Sequence, residues 1–177
     1  STLPPIFQGA REHVCDNWDY NPEEAKALWD SIDHPDSLIV WFNTGGGHEE
    51  WVEAVANMWR NTLGVEEVTF ESMEFSEYNP LLDAQGATGP FRLGWGQDYP
   101  SPLNFLEPLY ASYNNPPIGS NDTWYDNPAF DELIAQGKAA VAASGSLADG
   151  VPFYQQAEDL LCADVPMAPV WFRTNQF

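Results

Sequence analysis

The sequence predicts an α/β fold, a three-layer sandwich of helices around a mostly parallel sheet. Three observations predict it. Apolar runs such as Leu38-Ile39-Val40-Trp41-Phe42 are strand-sized and continuous, which suits strands buried on both faces. Segments of helical periodicity behind Asn-Pro starts alternate with these runs. The 177 residues, 44% of them apolar, match one domain with its own core and argue against disorder.

Residues 1–19 read as an irregular lead-in punctuated by Pro4-Pro5 and Gly9. Asn21-Pro22-Glu23-Glu24 opens a helix: Asn caps, Pro takes the first position, and two carboxylates meet the positive end. Ala25, Leu28, Trp29 and Ile32 fall on one face, predicted to be buried. The strand 38–42 follows, and Gly45-Gly46-Gly47 turns the chain into a second helix. Trp51, Val55, Met58 or Trp59, and Leu63 form its inward stripe, and Gly64 is its stop. Glu67 to Phe75 reads as a strand with a bulge or its end near Ser72.

A short helix around 78–85 leads to a third strand, 91–95. Residues 96–126 read as a long loop, rich in Pro, Asn and aromatics, with one helical turn at 103–110. Asn127-Pro128 repeats the capped start, with Phe130, Leu133, Ile134 and Val141 inward. A last helix over 151–163 buries Phe153, Ala157, Leu160 and Leu161, and 168–172 is the final strand. No internal repeat is visible.

Charge excludes several functions. Twenty-seven acidic residues face six basic ones, a net of −21, which repels phosphate backbones and anionic lipid. The six cations are scattered, so nucleic acid is not an expected partner. No stretch approaches the roughly 20 apolar residues that cross a bilayer. Ser1 opens the chain without a methionine or an apolar leader, as in a processed or excised piece.

Catalytic and cofactor patterns are missing as well. Gly45-Gly46-Gly47 lacks the spacing and Lys of a P-loop, and Glu49 and Glu50 would repel an anion there. It reads instead as a turn facing a cleft beyond a strand's carboxyl end. His13, His34 and His48 form no ligand pairing and read as surface or turn histidines, so no metal and no cofactor are expected. There is no nucleophile elbow, and the carboxylates fall in helix first turns or on polar faces; an enzyme is not expected. Of the eight tryptophans, Trp29, Trp41, Trp51, Trp59, Trp124 and Trp171 read as packing. Trp95 is balanced between packing and a ligand-facing role. Cys15 and Cys162 match no zinc or redox spacing and read either as a disulfide or as two buried thiols.

The segment Gly94-Trp95-Gly96-Gln97-Asp98-Tyr99-Pro100, continuing through Pro102 to Phe105-Leu106, resembles the G-W-x-x-D-Y-x-x-P-x-x-F-L stretch of the oligopeptide- and dipeptide-binding proteins of ABC importers. Further resemblances follow in the family's order. They are Tyr20 to Leu28; Trp59-Arg60-Asn61-Thr62-Leu63-Gly64; Tyr125-Asp126-Asn127-Pro128-Ala129-Phe130-Asp131; and Tyr154 through Ala157-Glu158 to Pro166 and Pro169. Five in order span residues 20–172. The two cysteines, a longer loop at 144–150 and Gln97 depart from the pattern.

The resemblance implies an extracytoplasmic protein of two α/β lobes, a type II periplasmic-binding-protein-like fold. Residues 1–177 would be a single ligand-binding lobe, with the other lobe lying elsewhere in the same protein. It implies binding of a peptide or other small solute and delivery to the membrane subunits of an ABC importer. An oligosaccharide-binding member or a non-transport surface receptor is the alternative. Asp98 matches the residue that meets a peptide's α-ammonium group, and Arg92 a position that meets the ligand carboxylate in some members. Trp95 and Tyr99 are expected beside them. An extracytoplasmic setting also favours the Cys15–Cys162 disulfide.

Overall fold

A computed structural model describes residues 1–173, which divide into two compact units. One comprises residues 20–94; the other joins residues 1–19 to the chain from Trp95 onward.

The first unit is built on a parallel β-α-β crossover. Helix α1 spans Pro22–Ser31 and β1 spans Ser37–Asn43. Helix α2 runs Glu49–Leu63 and β2 Glu67–Met73; helix α3, Phe75–Asp83, follows. Asn21 caps α1 by accepting from the Glu24 N–H, and Gly64 ends α2 in the left-handed region at φ 80°. Both ends follow the predicted chemistry.

β1 and β2 pair in unbroken parallel register from Ser37–Glu67 to Asn43–Met73. No bulge forms at Ser72; the strand ends at Met73 and Phe75 opens α3. Val40, Phe42 and Val68 pack with Val52 and Ala56 of α2, and Trp29, Trp51, Trp59 and Leu63 close around them.

Two predictions for this unit are corrected. The third strand shrinks to one bridge, Trp41 to Phe91, in which Trp41 N–H donates to Pro90 O and Arg92 N–H to Trp41 O. Gly94 and Gly96 follow at once, and glycines without side chains to pack hold a strand poorly. On α1, Trp29 alone of the predicted stripe turns inward; Leu28 is 61% and Ile32 58% exposed. A ten-residue helix lying on α2 covers only a narrow line of contact.

The second unit is helical. Helix α4 spans Leu103–Tyr110, α5 Pro128–Ser144 and α6 Val151–Asp164. Asn127 caps α5 through Ala129 N–H and Phe130 N–H. Leu106, Tyr110, Phe130, Ile134, Tyr154, Ala157 and Leu161 form the core, together with Leu3 and Phe7 from the lead-in. Residues 168–172 form no strand, and Trp171 is exposed, against its predicted burial. Pro166 and Pro169 remove two of the N–H donors a ladder there would need. Among the described residues the sheet is therefore confined to the first unit, and the core of the second is built from helices and the lead-in.

The lead-in is fixed along one face of α6. Glu158, fully buried, accepts from Ser1 Oγ (2.6 Å), Thr2 N–H (2.7 Å) and Arg11 Nη2 (3.1 Å). One turn on, Cys162 is disulfide-bonded to Cys15 with Cα atoms 5.4 Å apart. The 96–126 stretch is likewise ordered. Buried Asn121 donates to Ala111 O, Asn115 Oδ1 and Tyr125 O, and Asp131 accepts from Ser112 N–H and Oγ.

Candidate functional site

The residues singled out by sequence lie where the chain passes from one unit to the next. Arg92 belongs to the first unit; Trp95, Asp98 and Tyr99 open the second.

Asp98 is exposed, three residues before Ser101 begins the approach to α4. Its backbone N–H donates to Asn104 Oδ1 at 2.8 Å, and Asn104 Nδ2 donates back to Asp98 Oδ2 at 3.1 Å. Asn104 itself is only 2% exposed, packed in the first turn of α4 among apolar neighbours. Oδ1 of Asp98 accepts no hydrogen bond from another described residue. One carboxylate oxygen is thus held by a buried amide, and the other remains available to a cation.

Tyr99 is half-exposed, and its ring lines a cavity with Leu103 of α4, Val141 of α5 and Tyr154 of α6. Burial raises its phenol above the ordinary pKa, with Asn104 opposing. Trp95 is half-buried, and its indole N–H is sealed from solvent with no acceptor among the described residues. That arrangement leaves the ring rather than the nitrogen for contact.

In the first unit Arg92 Nη1 donates to the buried Asn43 Oδ1 at 3.0 Å, at the carboxyl end of β1. The Tyr78 hydroxyl reaches Arg92 O at 2.8 Å and Trp41 O at 3.0 Å, fastening this segment to β1. A Cβ at Gly94 would come within 2.9 Å of Arg92 Nη2, so the guanidinium lies close over the glycine backbone. His48, read from sequence as a surface or turn histidine, sits at the turn into α2 but is buried, and accepts from Trp51 Nε1 at 3.2 Å. The three-glycine turn before it, with Gly45 and Gly47 at positive φ, lets it fold back.

The supporting residues Asn104, Asn43 and Tyr78 were not found from sequence. An asparagine inside Leu103-Asn104-Phe105-Leu106 is the one signal that was available, since a polar residue in an apolar turn needs a partner. Among the described residues no group of three or more His, Cys, Asp or Glu is placed to hold a metal ion.

Comparison with known proteins identifies the family. The family model of the bacterial extracellular solute-binding proteins, family 5 Middle, matches residues 1–117. The periplasmic oligopeptide-binding protein OppA of Salmonella typhimurium is 31% identical over 185 residues, 99% of this chain and 32% of that protein. The periplasmic murein peptide-binding protein MppA of Escherichia coli is 32% identical over 144 residues, 80% of this chain and 24% of its own length. The solved structure of the E. coli murein tripeptide binding protein MppA superposes with a TM-score of 0.76 at 25% identity, covering 94% of this chain and 32% of that one. The chain spans about a third or less of the length of these relatives, which are binding proteins rather than enzymes. Taken with the ordered motifs from Tyr20 to Pro169, the match over residues 1–117 means that the chain belongs to the bacterial extracellular solute-binding proteins, family 5.

Proposed function

We propose that this chain forms one wall of a peptide-binding cleft in an extracytoplasmic, two-lobed protein that delivers its ligand to the membrane subunits of an ABC importer. The observation that carries the reading is the Asp98 carboxylate, exposed yet oriented by the buried Asn104. A carboxylate fixed in direction needs little reorganisation to meet an ammonium group. The resulting charge-assisted hydrogen bond strengthens as the closing lobe excludes water. A peptide's amino terminus is the matching cation, and the relatives are named for oligopeptides and murein peptides.

Trp95, half-buried with its indole N–H sealed from solvent, would offer its ring face to the ligand, and Tyr99, half-exposed, would stand next to Asp98 in the chain. Within the first unit, Arg92, held by Asn43, is the candidate for a ligand carboxylate. The opposite wall comes from the other lobe, so ligand length and side-chain preference are set jointly.

Native mass spectrometry of the two-lobed protein, purified without refolding, tests the reading. Co-purifying masses that fragment as peptides are expected. A co-purifying oligosaccharide, or turnover of an added peptide, contradicts it.

A further inference from the structure

We propose that Tyr78 is a positioning residue for Arg92: by clipping the Arg92 backbone to β1, it sets how sharply the cleft distinguishes a ligand's free carboxylate from an uncharged carboxamide. The proposal rests on the reading of Arg92 as the candidate for a ligand carboxylate, and it concerns residues of the first unit only.

Arg92 has little sheet to hold it. The segment before it lies tight against β1, where a Cβ at Gly89 would come within 2.3 Å of Ile39 O and glycine permits the approach. Pro90 O then accepts from Trp41 N–H at 2.8 Å, and Arg92 N–H donates to Trp41 O at 2.9 Å. The pairing is a single bridge, Trp41 to Phe91, and Gly94 follows two residues after Arg92. Two backbone bonds running into a glycine are a weak hold for a side chain that must meet a ligand.

Tyr78 supplies what the bridge lacks. It stands in α3, 0% exposed, with its hydroxyl 2.8 Å from Arg92 O and 3.0 Å from Trp41 O. A buried tyrosine hydroxyl needs an acceptor. Here its one proton is shared between carbonyls of the two segments that the bridge joins, so α3, β1 and the Arg92 segment are tied at one point. Trp41 O accepts from both Arg92 N–H and Tyr78, which uses both of its lone pairs.

The head group is referenced to the same strand. Asn43, 8% exposed at the carboxyl end of β1, accepts from Arg92 Nη1 at 3.0 Å. Tyr78 thus fixes the backbone of Arg92 and Asn43 fixes its guanidinium. A guanidinium meets a carboxylate through a planar fork whose direction matters, and a fork fixed beforehand loses less freedom on binding. An uncharged carboxamide gains little from that alignment. The hydroxyl of Tyr78 therefore acts on the preference for the acid.

Isothermal titration of the two-lobed protein with trialanine and trialanine amide tests this. Wild type should bind the acid at least about ten-fold more tightly than the amide, and Arg92→Gln should abolish that preference. Tyr78→Phe keeps the ring in the core and removes only the hydroxyl. It should weaken the acid about five-fold, the value of one hydrogen bond, and leave the amide unchanged. A loss of stability alone would not separate the two peptides. If Arg92→Gln abolishes the preference while Tyr78→Phe weakens both peptides alike, or neither, the positioning role is overturned and the Arg92 reading stands. A wild type with no preference for the acid, or an Arg92→Gln variant that keeps it, overturns the Arg92 reading and this proposal together.

Discussion

Asp98 and Asn104 hold each other twice, backbone N–H to side-chain oxygen and side-chain N–H to carboxylate, across six residues of sequence. The amide is buried and the acid is exposed, so the rigid partner sets the direction of the accessible one. Replacing Asn104 by Leu keeps the branched shape and strips both bonds. The Asp98 N–H then loses its acceptor, and the expected loss of stability is about 1–3 kcal/mol by urea unfolding. Peptide affinity should fall in the same variant even though Asn104 faces the core.

Gly137→Ala separates local helix preference from packing. In an open helix interior the change stabilises by about 1 kcal/mol. Here the new methyl meets the Tyr154 ring, which Gly150 blocks from retreating. A net destabilisation of roughly 1–3 kcal/mol is expected from overpacking, read from the denaturation midpoint. A stabilised variant would show that the ring is free to move.

The lead-in depends on two ties to α6. Glu158→Ala leaves Thr2 N–H without an acceptor and Arg11 paired with Asp159 only, a loss of about 1–3 kcal/mol. Reducing Cys15–Cys162 removes about 2–4 kcal/mol. Amide exchange should accelerate over residues 1–15 in both cases, before the core of α5 opens.

Acid and alkali act through different groups. Hydrogen bonds from Tyr125 and Asn127 lower the Asp164 pKa, so the folded state prefers its ionised form. That contribution is complete above the unfolded value of about 3.9 and is lost as pH falls through the depressed one. Tyr125→Phe should flatten the acid limb of a thermal-stability profile below about pH 4. Burial has the opposite sign at Tyr154, raised to about 12 from 10.0. Its contribution is present below the unfolded value and fades as pH rises through about 12, so phenolate absorbance should lag behind model tyrosine until the chain unfolds.

Much of the fold was legible in the sequence because its signals are local. Asn21-Pro22, Asn127-Pro128 and Gly64 are cap chemistry, and Leu38 to Phe42 is a buried-strand run; each forms the expected element. The absent strands failed for a nonlocal reason. Residues 91–95 and 168–172 have strand-like composition, but a strand exists only where a neighbouring edge accepts its hydrogen bonds. The burial of Leu28 and Ile32 was overcalled in the same way: periodicity shows that a face is apolar, not what covers it. At the site, motif order pointed to Asp98. Its orientation was hidden because Asn104 acts through a side-chain contact that periodicity does not report. The anchoring of the lead-in by Glu158 was hidden too, since a lone Glu on a helix ordinarily reads as solvated.

The central claim is that Asp98 reads the positive charge of a peptide's amino terminus. Isothermal titration of the two-lobed protein with one short peptide, in free-amine and N-acetylated forms, tests it against Asp98→Asn. The account predicts that the substitution weakens the free-amine peptide by at least ten-fold, about 1.4 kcal/mol, while the acetylated form binds wild type and variant alike. Equal weakening of both forms, or no weakening of either, would contradict it.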